Sequence, residues 1–185
     1  MIPTLPLRAR NRLAETILTA LHDPAARHAL QALSAEDTAR GWLAADEARW
    51  APALAERARA ACAALHDEPL RPHGADLAQA LAAAAVLFDA ALYFEVHEVL
   101  EPHWAVASGE AREALQGLIQ VAVGWQHLAN ANLAGARSLL VEGSSRLHGA
   151  WLPGLGLDAF ARAAAGAAEA VAAGRPVAAP SFPRA

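Results

Sequence analysis

Apolar residues recur along this chain at three- and four-residue spacing, and no window shows a sustained two-residue alternation bounded by turn residues. β-Branched residues are too few to build a sheet. The pattern predicts an all-α fold, a bundle of about seven or eight short helices joined as antiparallel hairpins, with no sheet. Proline and glycine divide it. Pro6 to Leu21 reads as a first helix and Pro24 to Leu33 as a second. Ser34 followed by Asp37 resembles a capping box opening a third. Pro52 kinks or splits the stretch that runs on to His66. The segment DEPLRPHG, residues 67–74, is the best internal boundary.

Beyond that boundary Ala75 to Phe88 is almost wholly apolar, as in a helix buried on most sides. Asp89 is placed to cap a new turn. Leu92 to Glu101 follows as a helix, which Pro102 must end or kink. Ser108 opens a helix running to about Ala129, and Asn130 and Asn132 flank a tight turn. Leu133 to His148 is the next helix, Trp151 to Gly156 a loop, and Asp158 caps a last helix that Gly174 ends. Three further prolines leave a loose tail. The expected organisation is an N-terminal helical extension (1–74), a core (75–149), a C-terminal helix (150–174) and a Pro-rich tail (175–185). Tyr93–Leu100 and Leu133–Leu140 align at an offset of 40, which reads as a duplicated hairpin or as two amphipathic helices that look alike.

Composition narrows the function. The 52 alanines and 26 leucines reinforce helix, since Ala loses no side-chain entropy on folding. All 15 basic residues are Arg, so lysine Schiff-base and P-loop chemistry are excluded. A net charge of −4 argues against nucleic acid as a partner and against a polybasic membrane anchor. The single cysteine, Cys62, excludes an intramolecular disulfide and a multi-Cys zinc site, and reads as a small buried hydrophobe. No apolar stretch has the ~20 residues that a membrane span needs, and the start lacks a signal-peptide pattern. The expected location is cytoplasmic. Trp42, Trp50, Trp125 and Trp151 read as packing anchors.

One constellation carries candidate chemistry. His97, Glu101 and Trp104 stand at i, i+4 and i+7 and share a helix face. An imidazole and a carboxylate one turn apart reach one metal ion or polarise one water, but catalytic zinc usually takes three protein ligands. The helix from Ser108 is the obvious second source, because a short connection makes the two helices antiparallel neighbours. Equal rise back from the loop brings Gln116 and Gln120 opposite His97, with His127 too far along. Glu98 points about 100° away from His97 and either lines the rim or is solvated.

The stretch FDAALYFEVHEVLEPHW, followed by GLIQVAVGWQHLANANLAGARSLL, resembles a bacterial and archaeal family catalogued as domain of unknown function 309. The resemblance spans about residues 80 to 148. Its His-x-x-x-Glu-x-x-Trp signature falls on His97, Glu101 and Trp104. Gly-Leu-Ile-Gln falls on Gly117 to Gln120, an apolar run ends in His127, and Asn-x-x-Gly-Ala falls on Asn132, Gly135 and Ala136. The resemblance implies an all-helical bundle and a metal-binding motif, and no reaction or substrate. Two departures stand out. A glycine often precedes the aromatic pair, and with Ala91 there the turn is expected to be right-handed. Pro102 inside the signature removes a hydrogen bond to the Glu98 carbonyl and tilts Trp104 off the i+7 face.

The leading expectation is a divalent-metal or small-ligand site between two antiparallel helices. His97 and Glu101 are its metal ligands, Tyr93, Trp104, Gln116 and Gln120 line it, and Glu101 or Glu98 is the catalytic candidate for metal-assisted hydrolysis. The alternative is a non-catalytic interaction or scaffold module that docks a partner or a second copy (a homo-oligomer) through its Ala-rich helices. The His-Glu-Trp cluster is then a structural hydrogen-bond network. A third reading is an apolar pocket lined by Tyr93, Trp104 and Trp125.

Overall fold

The computed structural model describes residues 4–72, 74 and 76–184. The described residues form nine α-helices, one 3-10 helix and a two-stranded hairpin of two residues per strand, so the molecule is all-α as its periodicity predicts. They divide into two units, one ending before residue 76 and one beginning at Asp76.

The first unit holds α1 (Leu7–Ala20), α2 (Pro24–Ala32), α3 (Glu36–Trp42), a 3-10 helix (Ala45–Trp50) and α4 (Ala51–Leu65). Asp23 caps α2 by accepting the Ala25 N–H at 2.8 Å, with Pro24 in the first turn where no N–H is needed. Leu13, Ile17, Leu30, Leu54, Ala58 and Ala61 are fully or almost fully buried. Arg27 ties the ends together, donating to the carbonyls of Ala20, Leu65 and Glu68. Pro52 splits rather than kinks its stretch: the 3-10 helix stops at Trp50 and Pro52 sits in the first turn of α4. The expected capping box does not form. α3 is flanked by Ala35, and the Ser34 hydroxyl turns back to the Leu30 carbonyl and to Cys62 Sγ at 3.6 Å. Cys62 is half-buried rather than buried.

The second unit runs α5 (Leu77–Asp89), α6 (Tyr93–Val106), α7 (Gly109–Ala129), α8 (Leu133–Leu147), the hairpin of β1 (Trp151–Leu152) and β2 (Leu155–Gly156), and α9 (Asp158–Ala172). Each helix packs on the next in sequence. Asp76 caps α5 through the Gln79 N–H; the expected start at Ala75 lies outside the described residues. The predicted loop at 151–156 is the hairpin, in register Leu152 opposite Leu155 across Pro153-Gly154, with Gly154 at φ 76°. Trp151 is exposed there, not an anchor.

Two turns repeat each other. α5 and α7 end at Asp89 and Ala129, and α6 and α8 begin at Tyr93 and Leu133. The Leu92 N–H bonds the Leu87 carbonyl and the Ala91 N–H that of Phe88; Asn132 to His127 and Ala131 to Leu128 do the same. This pattern needs a left-handed residue, and Ala91 and Ala131 take φ 59° and 58°. The expectation of a right-handed turn at Ala91 is therefore overturned: two backbone hydrogen bonds outweigh the ~1–2 kcal/mol that a Cβ costs in that region.

Two details at the ends of these helices also emerge. Of the two outcomes expected at Pro102, ending the helix is ruled out, since α6 continues to Val106. Asp89 does not cap a new turn. It closes α5 and holds the tail, where Phe182 is buried and packs on Phe88 and Phe160. The tail is not loose at that point.

Candidate functional site

α6 is oriented by a stripe. Leu92, Val96 and Leu100 repeat at four-residue spacing and are fully buried, with Tyr93 beside them. His97 and Glu101 each follow a stripe residue by one position, so they sit on the shoulder of the helix. His97 is half-buried and Glu101 exposed. Phe94 stacks near the imidazole, with ring centroids 6.1 Å apart.

The carboxylate that His97 meets is Glu98, not Glu101. His97 Nδ1 lies 2.9 Å from Glu98 Oε1, with both side chains about one-third exposed (28% and 34%). The neighbouring residue reaches round the helix because its side chain is long enough to cross the 100° step. The bond engages one ring nitrogen and leaves Nε2 for another partner. His97, Glu98 and Glu101 together bring three ligand atoms of metal-binding type within 4.8 Å of one another. All three come from α6. Pro102 lies inside the helix and has no N–H to give the Glu98 carbonyl.

α7 contributes otherwise than the spacing suggests. Gln120 faces α8: its amide nitrogen donates to Glu142 Oε2 at 3.1 Å, and its oxygen accepts from Arg146 Nε at 3.0 Å. Arg146 also pairs with Glu113. The reason lies in the glycines. A Cβ on Gly117 would sit 2.8 Å from Leu147, and one on Gly124 would sit 3.0 Å from Leu140. Those two glycines define the α7 face that closes on α8, and Gln120 lies between them. Gln116 is half-buried, and no hydrogen bond among the described residues joins it to His97, Glu98 or Glu101. The glycine spacing was the signal that spacing from the loop overlooked.

Trp104 is half-buried and pairs with Arg112. The Arg112 guanidinium lies 4.0 Å from its ring centroid, and Arg112 Nη1 donates to the Trp104 carbonyl at 2.8 Å. Arg112 thus closes the C-terminal end of α6 from the first turns of α7, where a cation complements the helix dipole. Its position just after the connecting loop was the available clue. Tyr93 is buried edge-on to Phe88 and 6.4 Å from Trp125. Burial, and then the Asp89 carboxylate, push its phenol above the ordinary 10.0. Glu95 on α6 is fully buried, which the sequence pattern alone does not signal.

The turn after α7 accounts for another group of residues. Asn132 caps α8 by accepting the Gly135 N–H at 3.0 Å, and its amide donates to His127 Nδ1 at 2.8 Å. A Cβ on Gly135 would come within 2.7 Å of that amide and 3.0 Å of the imidazole. His127, Asn132 and Gly135 therefore lock a turn rather than extend the cluster on α6.

Fold and cluster together define a helical-bundle protein with a histidine and two carboxylates presented by a single helix. Residues 81–139, from α5 into α8, match the family model described as Domain of unknown function (DUF309), so the resemblance read from the sequence holds over that stretch. No curated protein matches the chain, and no solved structure does. No helix among the described residues is long and apolar enough to cross a membrane.

Proposed function

We propose that His97, Glu98 and Glu101 hold a divalent transition-metal ion on the shoulder of α6. The observation that carries this reading is the clustering of their three ligand atoms within 4.8 Å. One imidazole with two carboxylates suits zinc, manganese or iron better than calcium or magnesium, which favour all-oxygen shells. Three donors fall short of a closed structural site and match the number a catalytic site uses. The chemistry such an ion supplies is Lewis acidity towards a carbonyl or phosphoryl oxygen. On this reading the protein is a metal-assisted hydrolase. Glu98 orients the His97 ring through their hydrogen bond, and the more exposed Glu101 is the carboxylate that meets solvent and substrate. A reducing, cytoplasmic setting fits the single thiol.

The test is elemental analysis of untagged protein purified without chelator, beside Glu101→Ala. Glu101 is exposed, so its truncation leaves the core alone. About one equivalent of a transition metal in the wild type, absent from the variant, is the expected result and justifies a hydrolase screen. Metal in neither protein after incubation with zinc, manganese or iron would sink the reading.

A second reading has its own observation. Leu133 and Val141 on α8 are 53% and 50% exposed, and Val106 at the end of α6 is 86% exposed. A helical interaction module, self-associating or docking a partner, would cover such side chains. It predicts a dimer by sedimentation that Val141→Glu dissociates, and a His97→Ala variant that loses stability with no metal to lose.

A further inference from the structure

Residues 182–184 form an aromatic plug held by a single carboxylate. From Gly174 to Ser181 the backbone carries no regular structure, and its residues are exposed or half-buried. Phe182 then drops to 2% exposure. Its ring centroid lies 5.4 Å from that of Phe88 on α5 and 5.5 Å from that of Phe160 on α9. Asp89 grips the backbone and side chain around it. Oδ1 accepts the Phe182 N–H at 2.9 Å, and Oδ2 pairs with Arg184 Nη2 at 2.6 Å. One carboxylate thus meets a main-chain donor and a guanidinium two residues on, while the apolar pocket takes the ring.

These are the parts of a short-peptide recognition site: a buried aromatic, a main-chain hydrogen bond and a charged pair at the rim. Pro183 between the two recognised residues fixes φ and lowers the entropy lost on docking. We propose that Phe88, Phe160 and Asp89 form a recognition pocket for an extended peptide of pattern aromatic–x–Arg. The chain's own Phe182-Pro183-Arg184 occupies it in cis, and a peptide of the same pattern takes it in trans when the tail is out.

The test uses the full chain and a dye-labelled peptide of residues 178–184, followed by fluorescence anisotropy. In the wild type the tethered tail competes at an effective concentration on the order of millimolar, so the peptide binds weakly. Phe182→Ala removes the plug, and the peptide should bind that variant at least about tenfold more tightly. Arg184→Ala, which alters only an exposed side chain, should give an intermediate gain. Binding to Phe182→Ala should vanish for a peptide whose Phe is replaced by Ala, and should weaken with salt as the Asp89 pair is screened. If Phe182→Ala unfolds by circular dichroism, the ring is indispensable to the fold, and if it stays folded and binds no better than the wild type, the pocket takes no peptide; either result overturns the proposal.

Discussion

At the scale of the residue, burial and partner decide what a side chain does, and the sequence shows only the order of the residues. His97 and Glu101 were legible because a four-residue step on a helix fixes a shared face whatever surrounds it. The Glu98 contact was not, because it depends on side-chain rotamers rather than on the helical angle. Tyr93 offers the clearest titration. Its folded pKa is raised, by burial first and by Asp89 second, so the fold favours the neutral phenol. The contribution is fully present below the unfolded value near 10 and is lost as pH rises through the higher folded value. Tyr93→Phe cannot ionise. Urea midpoints measured from about pH 9 to pH 11 should fall less steeply for Tyr93→Phe than for the wild type. Parallel slopes would show that the phenol ionises as freely in the fold as out of it.

At the scale of the element, the α7–α8 pair shows why Gln120 was misplaced and makes a prediction that contrasts two glycines. A Cβ on Gly143 would meet the Gly117 carbonyl at 2.9 Å and the Val121 nitrogen at 3.0 Å, and backbone cannot move aside. A Cβ on Gly117 would meet side-chain atoms alone, Leu147 Cγ and Cδ2 at 2.8 Å and Arg146 Cβ at 3.1 Å, and these give more readily than backbone. Gly143→Ala should therefore destabilise by about 1–3 kcal/mol despite Ala's better helix propensity. Gly117→Ala should cost clearly less, and thermal melts of the two variants compare them directly. Equal losses would mean that Leu147 is as fixed as the backbone. The turns make the opposite case. Ala91 and Ala131 hold left-handed backbone that glycine adopts without strain. Ala91→Gly should gain up to about 1 kcal/mol, the relief of strain less the extra entropy of the unfolded chain. A drop in melting temperature would show that the Ala91 methyl is worth more to packing than its strain costs. Helix positions were legible here from periodicity and punctuation, and the echo at offset 40 marks where the two turns repeat. Handedness was not, because it is set by the carbonyls of Leu87 and Phe88 that the turn must satisfy.

At the scale of the whole molecule, each unit builds its own core. The first unit's rests on Leu13, Ile17, Leu30 and Leu54, and the second's on Phe88, Leu115, Leu118, Leu140, Phe160 and Phe182. That Phe182 belongs to the second list was hidden in the sequence, because prolines on both sides read as a loose end and only Asp89, far back along the chain, shows what holds it. Size then separates the units. The first has 75 residues, near the ~70–80 below which a hydrophobic core supplies little net stability. The second is longer and has a cluster of large aromatic side chains, each of which buries far more apolar area than alanine. Expressed alone from Asp76 onward, the second unit should keep a helical circular-dichroism spectrum and a cooperative melt. It should also bind metal with the stoichiometry of the full chain, because His97, Glu98 and Glu101 all lie on its α6. The first unit alone should melt at lower temperature or non-cooperatively, since its buried side chains are mostly alanine and leucine. A second unit that was helical but melted without cooperativity would refute this account. Its aromatic cluster would then be insufficient without the first unit, and the clamp at Asp89 could not be studied apart from the whole chain.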